Sequence, residues 1–264
     1  MAEPAKWDDL TARLVSGGAM AVVGTAAVVA GDVWFQMIAV FVTAVMVWEL
    51  WTMVAPHAAT RGLLMAAGCA SVLSGLYAEG GAAFFYILML IAPVTGALLL
   101  RRERFTFFAF ALGIQVAAYG LVAFRNENGF TWLLWLILVV IITDVFGYFA
   151  GRTFGGPKFW PAVSPKKTWS GTTAGWIGAG LVGVIFWLST NAGFAVVWIS
   201  MILSFASQMG DIAESALKRR MGVKDSSALI PGHGGLFDRF DALLGASLFM
   251  LAVVTLFDLP GLSF

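Results

Sequence analysis

The stretch FTWLLWLILVVIITDVFGYFA, residues 130–150, decides the architecture. Crossing the hydrocarbon of a bilayer takes roughly 20 mainly apolar residues in helical form, and Asp144 is the only charged side chain in this run. Working outward, comparable runs lie near 14–31, 33–55, 61–78, 82–100 and 105–124, and this one extends over 128–150. Three more follow near 171–189, 193–217 and 241–259. Lipid cannot satisfy the open edge of a sheet. The expected fold is therefore all-α, a polytopic integral membrane protein of about nine transmembrane helices. Composition agrees: of 264 residues, 60% are hydrophobic and 12% charged, and the mean hydropathy is +0.87. A soluble domain of this size needs more polar surface than 16 basic and 15 acidic side chains provide.

The basic residues set the orientation. With a cytoplasmic amino terminus, the inner segments hold Lys6, Arg13, Arg61, the Arg101–Arg104 cluster, Arg152, Lys158, Lys166 and Lys167. They also hold Lys218, Arg219, Arg220, Lys224 and Arg239, leaving Arg125 alone outside. This positive-inside pattern fits nine spans and an outer carboxyl terminus. Glu3, Asp8 and Asp9 flank the first run and favour a retained first helix over a cleaved signal peptide. Residues 1–127 read as a scaffold of about five spans with short loops. Residues 128–264 read as the catalytic membrane region, with cytoplasmic loops 151–170 and 218–240 rich in Gly, Pro, Lys and Arg. The lone Cys69 excludes an intrachain disulfide.

Charged groups within membrane helices invite functional readings. Four stand out: Glu49, Asp144, Asp211 and Glu214. Glu49, within Trp48–Trp51, either reaches the interface between aromatic anchors or has a role of its own. Ser207, Asp211, Glu214, Ser215 and Lys218 are spaced by three and four, so they share one helical face. Glu214 and Lys218 make an i, i+4 pair that leaves Asp211 without a partner. Asp238 and Asp241 open the last helix, where the dipole favours negative charge and where plain capping is the competing reading. Carboxylates converging with several Lys and Arg suit a magnesium-assisted reaction of a polyphosphate. Gly232 to Gly235 can bring backbone N–H groups to phosphate oxygens, and His233 either donates to phosphate or orders the loop. No nucleotide P-loop occurs. The residues by themselves point to metal-dependent phosphoryl or nucleotidyl transfer at the inner leaflet, with Lys166 and Lys167 either serving it or meeting lipid headgroups.

The run from Ser215, Leu217, Lys218 and Arg219 through Lys224-Asp225 to Ile230-Pro231, His233-Gly234-Gly235, Asp238-Arg239 and Asp241 resembles the signature of phosphatidate cytidylyltransferases. Asp144 to Arg152, Ser164 to Gly171, and Gly210 to Ser215 are similar to other stretches of that family. The resemblance covers residues 140–245 and departs at Ser170, where Glu is expected, and at Val145-Phe146-Gly147, where Thr-x-Ala is usual. It implies attack of phosphatidic acid on the α-phosphorus of CTP, giving CDP-diacylglycerol and pyrophosphate. Catalytic roles would fall to Asp211, Asp238, Asp241, Lys218, Arg219 and His233. Substrate binding would fall to Lys166, Lys167, Ser215, Lys224, Arg239, Gly234 and Gly235. Asp144, Asp211, Asp238 and Asp241 would hold Mg2+, with a second cation an open matter.

The implied partners are CTP, phosphatidic acid and membrane lipid, not nucleic acid, and the place is the inner membrane with the site facing the cytoplasm. A CTP-dependent lipid kinase of the polyprenol type is the rival enzyme. A CDP-alcohol phosphotransferase lacks its D-G-x-x-A-R motif here. A secondary transporter would use the carboxylates as ion sites, but such sites lie near midplane rather than at one face. The small residues Gly175, Gly178, Gly180 and Gly183 predict close helix packing, within the chain or in a homodimer.

Overall fold

A computed structural model describes residues 6–79 and 83–256, with side chains from Leu14 onward. The expected outer carboxyl terminus, the end of the 241–259 run, residue 82, and the side chains of Glu3, Lys6, Asp8, Asp9 and Arg13 lie outside the described residues. The helices are α1 (Lys6–Ala30), α2 (Asp32–Val54), α3 (Ala59–Ala78), α4 (Ala83–Leu88), α5 (Ile91–Leu99) and α6 (Arg104–Phe154). After a hairpin of β1 (Lys158–Trp160) and β2 (Ser164–Thr168) come α7 (Trp169–Ser189), α8 (Ala195–Met221) and α9 (Phe237–Leu256). Among the described residues, six helical stretches are long and apolar enough to cross a membrane. The protein is an all-α, membrane-integral chain. Outward-facing Leu63, Leu98, Ile177, Leu188 and Trp198 give it the apolar exterior that lipid requires.

The remaining apolar runs are shorter, and local chemistry explains the interruptions. The run near 82–100 is divided into α4 and α5. Pro93 in the first turn of α5 has no N–H to offer the Met89 carbonyl. The buried Gln115 amide fills that vacancy at 3.2 Å. The runs near 105–124 and 128–150 are two helices, taken together as α6 over 51 residues, that meet at a kink at Gly129. Gly129, at φ 82°, interrupts it with a conformation that glycine adopts without penalty.

Two departures alter the loops. The 151–170 segment is not purely irregular: α6 runs on to Phe154, and β1 pairs antiparallel with β2, Lys158 opposite Thr168 and Trp160 opposite Ser164. This small sheet leaves the fold otherwise helical, and Phe159 packs on Trp169 at 4.7 Å between ring centroids. The 218–240 segment contracts to 222–236, because α8 extends to Met221 and α9 already starts at Phe237.

The chain gathers into two compact units. The first comprises Met1–Val122 with Arg220–Phe240, the second Ala123–Arg219 with Asp241–Phe264. The first therefore takes the signature loop as well as the amino-terminal helices. Its core holds Leu50, Trp51, Leu73, Leu76, Met89 and Phe107, with Trp51 edge-on to Phe107 at 5.3 Å.

The second unit is built on missing side chains. A Cβ on Gly175 would stand 2.8 Å from Gln208 Nε2 and 3.1 Å from the Thr143 carbonyl. One on Gly183 would lie 2.7 Å from Val197 Cα, and one on Gly178 would strike Ile142 and Phe146. The glycine-rich face of α7 thus packs within this chain. A Cβ on Gly210 would lie 2.9 Å from Gly245 N, so α8 and α9 cross there backbone to backbone. Gly210→Ala should lower stability by about 1–3 kcal/mol through overpacking. Gly113→Ala, where a Cβ meets open space, should raise it by about 0.5–1 kcal/mol. Thermal unfolding of both variants in one detergent checks the contrast; equal midpoints would contradict the crossing.

Candidate functional site

In the second unit a polar stripe climbs α8. Ser200 accepts from Trp135 Nε1 at 2.9 Å, and Ser204 accepts from the Thr143 hydroxyl at 2.8 Å. Gln208 donates to the Thr172 carbonyl and accepts from Trp176 Nε1. These buried side chains satisfy one another where no water is available. The stripe ends in charge: Lys167 Nζ lies 2.5 Å from Asp211 Oδ2, and the Ser215 hydroxyl donates to Asp211 Oδ1 at 3.2 Å. Asp211 therefore takes its cationic partner from β2 and a hydroxyl from its own helix. The expected pair of Lys218 with Glu214 is present at 2.7 Å.

Because α8 and α9 touch at Gly210 and Gly245, Asp241 of α9 comes alongside Asp211. Charges interact across this cluster: Asp144 with Asp211 and Lys167, and Asp241 with Asp211, Lys218 and Asp144. Asp241 Oδ1 also accepts from the Ala242 N–H at 2.8 Å. Asp144 and Arg219 are exposed. On β2, Lys167 is half-buried against Asp211 while its neighbour Lys166 is exposed. Thr168 caps α7, accepting from the Gly171 N–H at 3.2 Å. Ser170 donates to the Gly155 carbonyl and fastens the hairpin to the end of α6.

In the first unit the signature loop folds around two carboxylates. Asp238 Oδ2 accepts from Ser226 N (2.8 Å), Ser226 Oγ (2.9 Å) and Gly235 N (2.8 Å). The Gly235 N–H is thus directed to a side chain of this loop. Gly234, at φ 81°, accepts from the Ile230 N–H at 2.8 Å. His233 Nδ1 lies 2.8 Å from the Ser16 hydroxyl, which also donates to the Pro231 carbonyl. Lys224 and Arg239 are exposed. Arg220 pairs with Glu103 at 2.8 Å. The Thr106 hydroxyl, and then the Arg220 guanidinium, hold the Glu103 carboxyl below its usual range.

Glu49, which the sequence allows either at the interface or in a role of its own, is placed by the structure inside the protein. It is wholly buried and accepts four hydrogen bonds from this loop and the start of α9. The one available signal was a carboxylate within an apolar helix.

Asp144, Asp211 and Asp241 offer the hard oxygen donors that Mg2+ prefers. Among the described residues, no three His, Cys, Asp or Glu side chains are gathered tightly enough to form a ready cage. The donor chemistry suits the ion, while the arrangement is that of an ion-paired cluster with an ammonium on Asp211.

The profile of the cytidylyltransferase family matches residues 11–257. Over 153 residues the chain is 39% identical to a phosphatidate cytidylyltransferase of Brucella abortus, covering 57% of each chain. Against that of Bacillus subtilis it is 36% identical over 153 residues, 56% of this chain and 57% of the relative. Against that of Staphylococcus aureus it is 31% identical over 194 residues, 69% of this chain and 75% of the relative. The match thus spans little more than half the length of the Brucella relative.

The two ion pairs of α8 differ in burial, and this fixes an expected contrast. Lys167 and Asp211 remain about a quarter exposed, so Lys167→Met should cost about 1 kcal/mol or less. Glu214 is 1% exposed, and Lys218→Met, which takes an ammonium from a buried carboxylate, should cost about 3–5 kcal/mol. Denaturant titrations in detergent measure both; an inverted order would refute the assignment.

Proposed function

This chain belongs to the cytidylyltransferase family, and from that membership we propose that it is a phosphatidate cytidylyltransferase. In the proposed reaction a phosphate oxygen of phosphatidic acid attacks the α-phosphorus of CTP. The bond to the bridging oxygen breaks, pyrophosphate leaves, and CDP-diacylglycerol remains in the membrane. The observation that carries the reading is the cluster at the α8–α9 crossing, where Asp211 and Asp241 interact with each other and with Lys167 and Lys218.

The residues divide the work by charge. Asp211 and Asp241, with Asp144, would hold Mg2+, whose chemistry there is to neutralise charge on the triphosphate. Lys167, Lys218 and Arg219 supply cationic groups from the chain itself, and Lys166 stands exposed next to Lys167 in sequence. Lys224 and Arg239 retain the phosphate-binding role that the resemblance implies. The hydrogen bonds to Asp238 suit it to holding the loop in shape. No general base is required, because the phosphatidate phosphate is already ionised at neutral pH. The concentration of Lys and Arg on one side of the spans supports an inner membrane location with the site facing the cytoplasm.

Purified protein given phosphatidic acid, Mg2+ and CTP labelled at the α-phosphate should place the label in lipid and release pyrophosphate. Transfer of label from the γ-phosphate instead would identify a kinase. Asp241→Asn should abolish transfer, by at least about 100-fold, while the protein still folds and enters the membrane; retained turnover would remove Asp241 from the site.

A further inference from the structure

Glu49 lies near the end of α2, is 0% exposed, and has Leu50 and Trp51 as equally buried neighbours. A carboxylate in such a place must be matched by donors. All four come from one segment of chain. Oε1 accepts from Ser227 Oγ (2.6 Å) and Leu236 N (3.0 Å), and Oε2 from Phe237 N (2.7 Å) and, at 3.2 Å, from Ser226 Oγ, whose one proton is shared with Asp238. Phe237 is the first residue of α9, so two of these donors are N–H groups that a helix start leaves unsatisfied. The carboxylate also sits where the helix dipole favours negative charge. One side chain therefore grips both ends of the loop, and α9 has its terminal anion supplied from within the protein.

Immediately outside the gripped residues stand two exposed cations. Lys224 precedes Ser226 by two residues, and Arg239 follows Phe237 by two. The spacing between them is set by the clamp, since Ser226, Ser227, Leu236 and Phe237 all end on one carboxylate. We propose that Glu49 is a positioning residue: its carboxylate fixes Lys224 and Arg239 at the separation that receives a phosphate-bearing substrate. The proposal rests on the cytidylyltransferase reading for the identity of that substrate, and on the geometry alone for the clamp.

Glu49→Gln is a sharp probe. Each carboxylate oxygen meets one backbone N–H, and these cannot turn away. Whichever way the amide is oriented, its NH2 group faces Leu236 N or Phe237 N. The Ser226→Ala/Ser227→Ala double variant loosens the same clamp without touching α2, and carries the test if Glu49→Gln does not fold. Glu49→Asp keeps the charge at shorter reach and should restore part of the function.

Hydrogen–deuterium exchange and steady-state kinetics with CTP and phosphatidic acid would be measured on the full chain in detergent. Protection should fall in residues 222–237, KM for a phosphate-bearing substrate should rise about tenfold, and kcat should change less. Unchanged KM with a loss only in kcat or in folded protein would overturn the positioning role, as would unaltered exchange in the loop. Absence of transfer by the unaltered protein would overturn the cytidylyltransferase reading instead, and the exchange pattern would then decide the clamp by itself.

Discussion

The charge cluster of this protein hangs on two absent side chains. Gly210 and Gly245 let α8 and α9 meet backbone to backbone, and only that contact brings the neighbouring carboxylates within reach of each other's charge. A methyl group at either position would meet main-chain atoms, which cannot swing aside as a flexible side chain can. Like charges held together need cations nearby, and the flanking elements of the same unit supply them, Lys167 from β2 and Lys218 from α8 itself. Close packing, carboxylate pairing and basic side chains thus form one dependency.

The same logic explains why the polar stripe on α8 is tolerated. Ser200, Ser204 and Gln208 are buried, yet each finds a partner in α6 or α7. The glycines of α7 allow this, since bulkier residues would hold the helices beyond hydrogen-bonding distance. Polar groups inside the unit are therefore part of its packing, and they lead toward the charged end of α8, where Lys167 meets Asp211.

Much of this was legible in the residues, and the exceptions have physical causes. Hydropathy located the helices because a bilayer demands long apolar runs, and spacing by three and four placed Asp211, Ser215 and Lys218 on one face. The hairpin at 158–168 escaped notice because its strands are short and polar, one with a proline, and carry no alternating pattern. Glu49 could not be assigned because its partners lie 177 to 188 residues away. No local periodicity reports a contact of that range. Asp238 and Asp241 look alike in sequence, three apart in one first turn, yet one serves a loop and the other a charge cluster.

The clamp on the 226–237 loop has a consequence for the continuity of the chain. Both stems of the loop bind one carboxylate, so the covalent connection through its tip is not what holds them together. A break near Gly232, in the exposed stretch Pro231–Gly232, would leave two fragments whose cut ends stay anchored to the same point on α2. The loop tip is thereby relieved of a structural duty, because the stems are joined through Glu49 rather than through the peptide chain between them.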